Sequence, residues 1–173
     1  SSTQIRARAA TFMVGGQPED FQAQRPLLAL LSDRVFHVGP AGAGSRAKLA
    51  SNLVLGLNRL ALAEGLVFAE ALGLDLEAFL QVLRNSPACS VVVDTKGPRM
   101  LAGRFEPEAR LRQHLKDVAL MLRCAADRGQ DLPVSRLHQQ LLAQAVAAGD
   151  GDLDNSAVIR QLRRGRRPPA RSG

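Results

Sequence analysis

The stretch Gly39–Asn52, with the sequence GPAGAGSRAKLASN, carries the main functional signal of this 173-residue chain. A short apolar run, Arg34–Val38, precedes it, and a long helical pattern follows it. Lys48 and Asn52 are four residues apart, so a helix places both side chains on one face. With Ser45 as N-cap, Lys48 would lie in the first turn, where the helix dipole and partial burial favour a lysine that exchanges a proton near neutral pH. An amine beside an amide predicts a site for a small oxygen-bearing substrate.

The same stretch also shares features with phosphate-binding loops. Gly42–Ala47 fits the pattern G-x-G-x-x-G/A, and Glu64 lies near the distance at which a ribose-binding acid is expected. That acid should end a second strand, whereas Glu64 lies inside a continuous helical pattern. The P-loop pattern fails because Ser45 stands where a lysine is required. From spacing alone, glycines that only turn the chain from strand to helix remain the simpler interpretation.

Taken together, the glycine-rich turn, Lys48 and Asn52 resemble the motif that opens the helical domain of the β-hydroxyacid dehydrogenases. That family includes 3-hydroxyisobutyrate dehydrogenase and tartronate semialdehyde reductase and is related to 6-phosphogluconate dehydrogenase. The resemblance extends from about Ala9 to Leu162. It implies that Lys48 is the catalytic acid/base and that Asn52 and Gly44 bind the substrate. It also implies NAD or NADP as cofactor and a small 3-hydroxy acid or semialdehyde as substrate.

A second pair of residues gains meaning from this resemblance. On pattern alone, Lys116 and Asp117 are a solvated pair between the apolar positions Leu115 and Val118. The resembled family has Lys-Asp at this place, which implies cofactor binding by Lys116 and substrate binding by Asp117. Many members have an aromatic residue eight positions before that aspartate, where this chain has Ala109. The departure motivates a rival hypothesis, a non-catalytic dehydrogenase-derived helical domain that serves as an oligomerisation or interaction module.

The expected fold is mainly α, because alanine and leucine dominate the sequence and tryptophan and tyrosine are absent. The resemblance implies a 6-phosphogluconate dehydrogenase C-terminal-like helical domain around one long central helix, preceded by a short β-α-β remnant of a Rossmann domain. We expect that remnant at residues 1–39, an all-helical substrate and dimerisation domain at 40–164, and a disordered basic tail at 165–173. The chain is thus interpreted as the C-terminal portion of a longer enzyme, inactive by itself, that forms a homodimer or higher homo-oligomer.

Periodicity and breaker residues predict the individual elements. The expected strands are Thr11–Val14 and Arg34–Val38. The expected helices begin at Pro18 and then cover residues 45–72, 76–84, 109–128, 134–148 and 157–164, with a helical segment at 90–95 that Lys96–Pro98 breaks. Gly73 is expected to end the long helix, Asp75 to cap the helix after it, and Asp154-Asn155-Ser156 to cap the last one. We expect Gly56 and Gly65 to allow close helix contacts, and the helix at 134–148 to pack through Val134, Leu137, Leu141 and Ala145.

Charge and composition exclude several other classes of function. The net charge is +7, and six arginines between Arg160 and Arg171 supply most of it, so the basicity belongs to a terminal segment and nucleic-acid binding is not expected. Cys89, Cys124 and three scattered histidines predict no metal site, and His37 is expected to have a packing role. No apolar run approaches the roughly 20 residues of a membrane span. With no secretory signal pattern, we expect a cytoplasmic protein.

Overall fold

The computed structural model describes residues 10–166, which form parts of two compact units, residues 1–52 and 53–173. In the first unit, strands β1 (Thr11–Val14) and β2 (Arg34–His37) pair in parallel, with Thr11 opposite Arg34. Helix α1 (Pro18–Leu31) connects them and has acidic residues in its first turn, as the sequence predicts. The expected strand, helix, strand order is therefore confirmed.

The chain continues with helices α2 (Ala43–Ala71), α3 (Leu76–Arg84), α4 (Val91–Ala102), α5 (Leu111–Ala126) and α6 (Pro133–Ala145). A π-helical turn, Val146–Asp150, and a 3-10 turn, Asn155–Ala157, lead to the last helix, α7 (Val158–Arg164). The mainly α character is thus confirmed. The boundary between the two units falls within α2, after Asn52. The predicted basic tail at 165–173 lies outside the described residues from position 167 onward.

Close backbone packing in the first unit explains two of its glycines. A Cβ on Gly15 would lie 2.7 Å from the Pro40 carbonyl oxygen, and a Cβ on Gly44 would overlap the Met13 carbonyl oxygen. The end of β1 therefore lies directly against the start of α2. His37 has the packing role expected of it, because its ring stacks on Phe21 at 5.0 Å and its Nε2 lies 2.9 Å from the Gly16 carbonyl oxygen.

The buried face of α6 overlaps only in part with the one that the sequence predicts, since Ala145 is buried as expected and Leu141 is half-buried. Val134 and Leu137 are exposed, which contradicts the expected seam. The buried residues are Ser135, His138, Leu142 and Ala145. Apolar periodicity failed here because the face that meets α5 and α7 includes a serine and a histidine, so tertiary packing overrides the simple apolar stripe.

Helix α4 corrects the predicted chain break at residues 96–98. The helix continues through Lys96 and Pro98 to Ala102, and Gly103 caps its end with a φ of 64°. A Cβ on Gly97 would lie 2.8 Å from Leu80 Cδ2, so the glycine allows α3 to approach α4 closely. The apolar face of α4, formed by Val92, Val93, Gly97 and Met100, is buried and stabilises the helix despite its proline.

Helix α2 differs from two further expectations, one about Gly65 and one about its apolar length. Gly56 has the close contacts predicted for it, but a Cβ on Gly65 would meet nothing within 4 Å. The helix is also long and apolar enough to cross a membrane by length and composition alone, with a mean hydropathy of 1.3 in an 18-residue window. A core helix of a soluble protein passes the same test, so this property does not decide the environment of α2.

Candidate functional site

Lys48 and Asn52 lie on α2 just after the glycine-rich turn. The predicted N-cap at Ser45 is wrong, because Gly42 takes a φ of 82° and the helix already begins at Ala43. Lys48 is therefore in the second turn, beyond the range in which the dipole of the helix start acts strongly. Its side chain is exposed, and that of Asn52 is half-buried. The i, i+4 spacing still presents an amine and an amide on one helix face.

Gly44 has a structural role that the sequence does not show. Its close approach to the Met13 carbonyl oxygen leaves no room for a side chain. The amide of Ala43 donates to the Pro40 carbonyl oxygen at 2.9 Å, so the turn already uses that donor internally. Packing thus accounts for the glycine at position 44, and its role in substrate binding remains a prediction.

Lys116 lies on α5 in the second unit and lines an open groove of about 580 Å³. Arg110 and Arg112 contribute two further positive charges to this groove and both pair with Asp152. Ala109 forms part of the wall, as do Pro107, Glu108 and Gln113. The groove therefore offers a cationic surface suited to an anionic or polar ligand.

Asp117 is half-buried on the same helix, where its Oδ1 accepts a hydrogen bond from Gln113 Nε2 at 3.3 Å. Lys116 and Asp117 thus both lie on α5, and their roles in cofactor and substrate binding remain predictions. Lys48 and Asn52 belong to the first unit and this pair to the second.

A buried carboxylate beside the groove was recognised from the sequence only as a helix cap. Asp154 is fully buried, and its Oδ1 accepts hydrogen bonds from the Ser156 hydroxyl at 2.7 Å and the Ser156 amide at 3.1 Å. Its Oδ2 accepts from the amides of Glu108 and Ala109 at 3.2 and 3.3 Å. Lys96 Nζ reaches both oxygens, at 3.0 and 3.1 Å. Asp154 therefore connects three segments of the second unit.

The electrostatics of Asp154 favour its ionised form. Burial by itself raises the pKa of the carboxyl, but hydrogen bonds from Ser156 and Lys96 outweigh burial and lower the pKa to about 2. Glu108, which also accepts from Lys96 Nζ at 2.9 Å, has a lowered pKa because of that hydrogen bond. The Asp-Asn-Ser cap signal identified Asp154, but nothing in the sequence indicated that Lys96 is its partner, because the two residues are 58 positions apart.

A buried basic cluster formed by Arg59, His114 and His138 was not predicted from the sequence. The two imidazole rings lie 5.1 Å apart between centroids, and all three side chains are buried. Burial lowers the pKa of His114 to about 3 and that of His138 to about 4, with the charge of Arg59 acting in the same direction. Both histidines are therefore neutral at pH 7. The spacing between positions 59, 114 and 138 gives no sequence signal for such a cluster.

Arg59 remains a cation in this environment, although burial lowers its pKa to about 10 and the charge of Asp154 opposes that shift. Its Nε and Nη1 atoms and the Nε2 atom of His114 have no hydrogen-bond partner within residues 10–166. In the same range, no three His, Cys, Asp or Glu side chains are grouped so as to hold a metal ion. Within the described residues, the cluster therefore contains buried polar atoms whose hydrogen-bonding capacity is not satisfied.

Comparison with known proteins identifies the family. A family model described as "NAD-binding of NADP-dependent 3-hydroxyisobutyrate dehydrogenase" matches residues 42–162. The 2-hydroxy-3-oxopropionate reductase of Escherichia coli K12 is 34% identical over 164 residues, which cover 94% of this chain and 56% of that protein. The probable 3-hydroxyisobutyrate dehydrogenase of Mycobacterium bovis is 34% identical over 166 residues, 91% of this chain and 56% of its own length.

Solved structures agree with these relatives. The 3-hydroxyisobutyrate dehydrogenase of Mycobacterium tuberculosis, solved with L-serine, superposes with a TM-score of 0.80 at 32% identity and covers 93% of this chain and 57% of its own. The Salmonella typhimurium 3-hydroxyisobutyrate dehydrogenase has a TM-score of 0.84 at 24% identity, with 92% and 56% covered, which supports the fold. The chain thus spans about half the length of the relatives that it matches. The predicted resemblance, including its NAD or NADP cofactor, is confirmed, and the chain belongs to the NAD-binding 3-hydroxyisobutyrate dehydrogenase family.

Proposed function

We propose that the full-length protein carrying this chain transfers a hydride between NAD or NADP and a small 3-hydroxy acid or semialdehyde. The observation that carries the proposal is the pairing of Lys48 and Asn52 on one face of α2, directly after a glycine-rich turn, in a chain of this family. The relatives named as 2-hydroxy-3-oxopropionate reductase and 3-hydroxyisobutyrate dehydrogenase support the class of substrate. In this proposal, residues 40–164 form the helical substrate domain and residues 1–39 the end of a Rossmann domain.

Each residue of the proposed site has one role in the reaction. The bound nicotinamide cofactor supplies or accepts the hydride. Lys48 Nζ gives a proton to the substrate oxygen during reduction and takes it back during oxidation. The Asn52 amide orients the substrate through hydrogen bonds, and Gly44 and Asp117 complete the substrate contacts. Exposure of Lys48 in this chain leaves its amine accessible to a substrate.

Lys116 is the residue that we assign to the cofactor. The groove beside it has a volume of about 580 Å³ and carries two arginines besides the lysine, so its size and charge fit part of a dinucleotide, which is anionic. The ammonium group of Lys116 would hold a polar group of the cofactor there.

The decisive experiment replaces Lys48 by alanine in the full-length protein. General acid/base catalysis contributes about two to four orders of magnitude, so turnover of a semialdehyde with NADPH or NADH should fall by that factor. Arg46→Ala is the matched control, because it removes an exposed positive charge two residues away on the same helix. Lys48→Ala turnover equal to that of the control would refute the assignment of Lys48.

The second candidate function is a non-catalytic one, in which the domain serves as an oligomerisation or interaction module. Ala109 favours it, since the wall of the Lys116 groove has a methyl group at this position and no aromatic ring. Steady-state assays of the full-length protein with a series of small semialdehydes and both cofactors separate the two candidates. Turnover that depends on Lys48 supports the enzyme, whereas absence of turnover across the series supports the module.

We further propose that the protein is a cytoplasmic homodimer or higher homo-oligomer that associates through its helical part. Support comes from one face of α2, where Val54 and Phe68 are 56% and 64% exposed. Large apolar side chains that remain exposed on a helix favour association with another surface.

A further inference from the structure

The segment that forms one wall of the Lys116 groove is short and irregular. It runs from Phe105 to Arg110, between the end of α4 and the start of α5. Its backbone is fastened to the segment before α7: Asp154 N donates to the Phe105 carbonyl oxygen at 2.9 Å, and Asn155 N donates to the Ala109 carbonyl oxygen at 2.8 Å. The wall of the groove therefore takes its position from the neighbourhood of Asp154.

The side chain of Asp154 adds the contacts that hold the middle of this segment. Oδ2 accepts from two successive amides, Glu108 N and Ala109 N, and those two residues face the groove. Oδ1 is used by Ser156, at the 3-10 turn before α7. One oxygen thus holds the groove wall and the other holds the turn, so a displacement of the carboxylate would displace both.

Lys96 forms an ion pair with Asp154, and it contributes from a third element, α4. Its Nζ lies 3.0 Å from Asp154 Oδ1 and 2.9 Å from Glu108 Oε2, so it contacts the carboxylate and the groove wall together. Lys96 is largely buried, with 12% of its side chain exposed, whereas Glu108 is exposed. A buried carboxylate without its cation would be strongly destabilised as an anion.

We infer that Asp154 and Lys96 are positioning residues that set the groove wall at Glu108 and Ala109, and through it the ligand surface that contains Lys116. Neither residue lines the groove, so neither acts as a ligand of the bound molecule. The inference deepens the proposed function and rests on it for the identity of the ligand, the nicotinamide cofactor. The position of the wall itself can be measured without that identity.

The test replaces Lys96 by methionine, which keeps the length of the side chain and removes its charge. Amide hydrogen exchange, measured residue by residue, should accelerate at least tenfold at Glu108 and Ala109 and remain within twofold at Val118, in the core of α5. Lys96→Arg should restore slow exchange, because arginine keeps a cation for the Asp154 carboxylate. The control is Arg84→Met, which breaks an exposed ion pair between Arg84 and Asp94 of α4 and leaves the groove wall untouched.

Two results would overturn the inference. One is unchanged exchange at Glu108 and Ala109 in Lys96→Met. The other is equal acceleration at these residues and at Val118, which would mean that Lys96 only stabilises the whole fold. Should the methionine variant fail to fold, Lys96→Gln is the substitute, because it keeps a hydrogen-bond donor without the charge. The ratio of the exchange rates at Glu108 and Ala109 to the rate at Val118 then tests the inference in the same way.

Kinetics in the full-length protein separate this inference from the proposed function. Lys96→Met should raise the KM for NADPH at least fivefold and leave kcat within threefold of the wild-type value. Arg84→Met should change neither. Equal effects of both variants would contradict the role of Lys96 as a positioning residue. A wild-type protein without turnover would refute the proposed reaction alone. The exchange ratio would then still decide whether Lys96 and Asp154 position the groove wall.

Discussion

At the scale of single residues, the core of the second unit contains buried ionisable side chains that its sequence did not predict. Arg59 is buried beside two neutral histidines, with two guanidinium nitrogens that lack partners within residues 10–166. A buried guanidinium of this kind loses hydration without full compensation. The charge of Asp154 is the favourable influence on Arg59, so the stability of the cluster depends on keeping Asp154 ionised.

The two histidines should make stability fall as the pH decreases below neutral. Their pKa values lie at about 3 for His114 and about 4 for His138, whereas the imidazole of an unfolded chain has a pKa of about 6.5. Between pH 6.5 and about 4 the unfolded state therefore binds more protons than the folded state, and linkage favours unfolding. We expect the free energy of unfolding to drop by on the order of 5 kcal/mol between pH 7 and pH 4.5.

Urea denaturation at a series of pH values measures this loss. His138→Leu removes one of the two titrating groups. The slope of the free energy of unfolding against pH should therefore decrease by up to the contribution of one bound proton over the same interval. An imidazole NMR titration offers a direct check, because both rings should remain neutral at pH 5. Titration of either ring near 6.5 would contradict the burial argument.

At the scale of elements, local sequence determines where α2 ends, whereas tertiary contacts determine the surroundings of its interior glycines. Gly73 ends the region with a φ of 73°, as its sequence position predicts. The two interior glycines look equivalent in sequence but differ in structure. A Cβ on Gly56 would lie 2.8 Å from His114 Nε2 and 3.2 Å from His138 Cε1, whereas one on Gly65 would meet open space.

Alanine substitutions at these glycines should therefore have opposite effects. Gly56→Ala forces a methyl group against two buried imidazoles and should reduce the free energy of unfolding by about 1–3 kcal/mol. Gly65→Ala gains helix propensity without a clash and should increase it by about 0.5–1 kcal/mol. Thermal and urea denaturation of the two variants, side by side with the wild type, provide the measurement. Equal destabilisation by both changes would mean that the contact at Gly56 has no energetic weight.

Helix α4 illustrates why other boundaries could not be predicted. Lys96–Pro98 has the composition of a break, yet the helix runs through it because its other face is buried against Leu80 and the core. The prediction at α6 failed for a similar reason, since Ser135 and His138 take the buried face. Helix existence and caps such as Asp75 and Asp154 follow from local chemistry, whereas the identity of a buried face depends on partners that lie far away in sequence.

At the scale of the whole molecule, the sequence allowed the family and the mainly helical fold to be predicted from the motif around Lys48 and from alanine and leucine content. The network of Lys96 and Asp154 and the cluster of Arg59 with two histidines could not be predicted, because their members lie 24 to 79 positions apart. Their contacts follow from how α2, α4, α5 and α6 pack, and no periodicity of one helix encodes that packing.

The last prediction concerns association of the chain with itself. An exposed stripe, here defined as Val54, Asn58, Ala61 and Phe68 of α2 together with Leu72 just after its end, repeats at helical spacing. It leaves the large apolar side chains of Val54, Phe68 and Leu72 in contact with solvent. Covering the stripe with a second copy would remove that apolar surface from water. We expect light scattering at micromolar concentration to give twice the chain mass of 18.5 kDa. Phe68→Asp should shift the protein to a monomer, whereas Leu120→Asp, a control at an exposed apolar residue of α5, should leave the mass unchanged. A monomer mass for the wild type would refute the dimer, and an unchanged dimer in Phe68→Asp would place the interface on another surface.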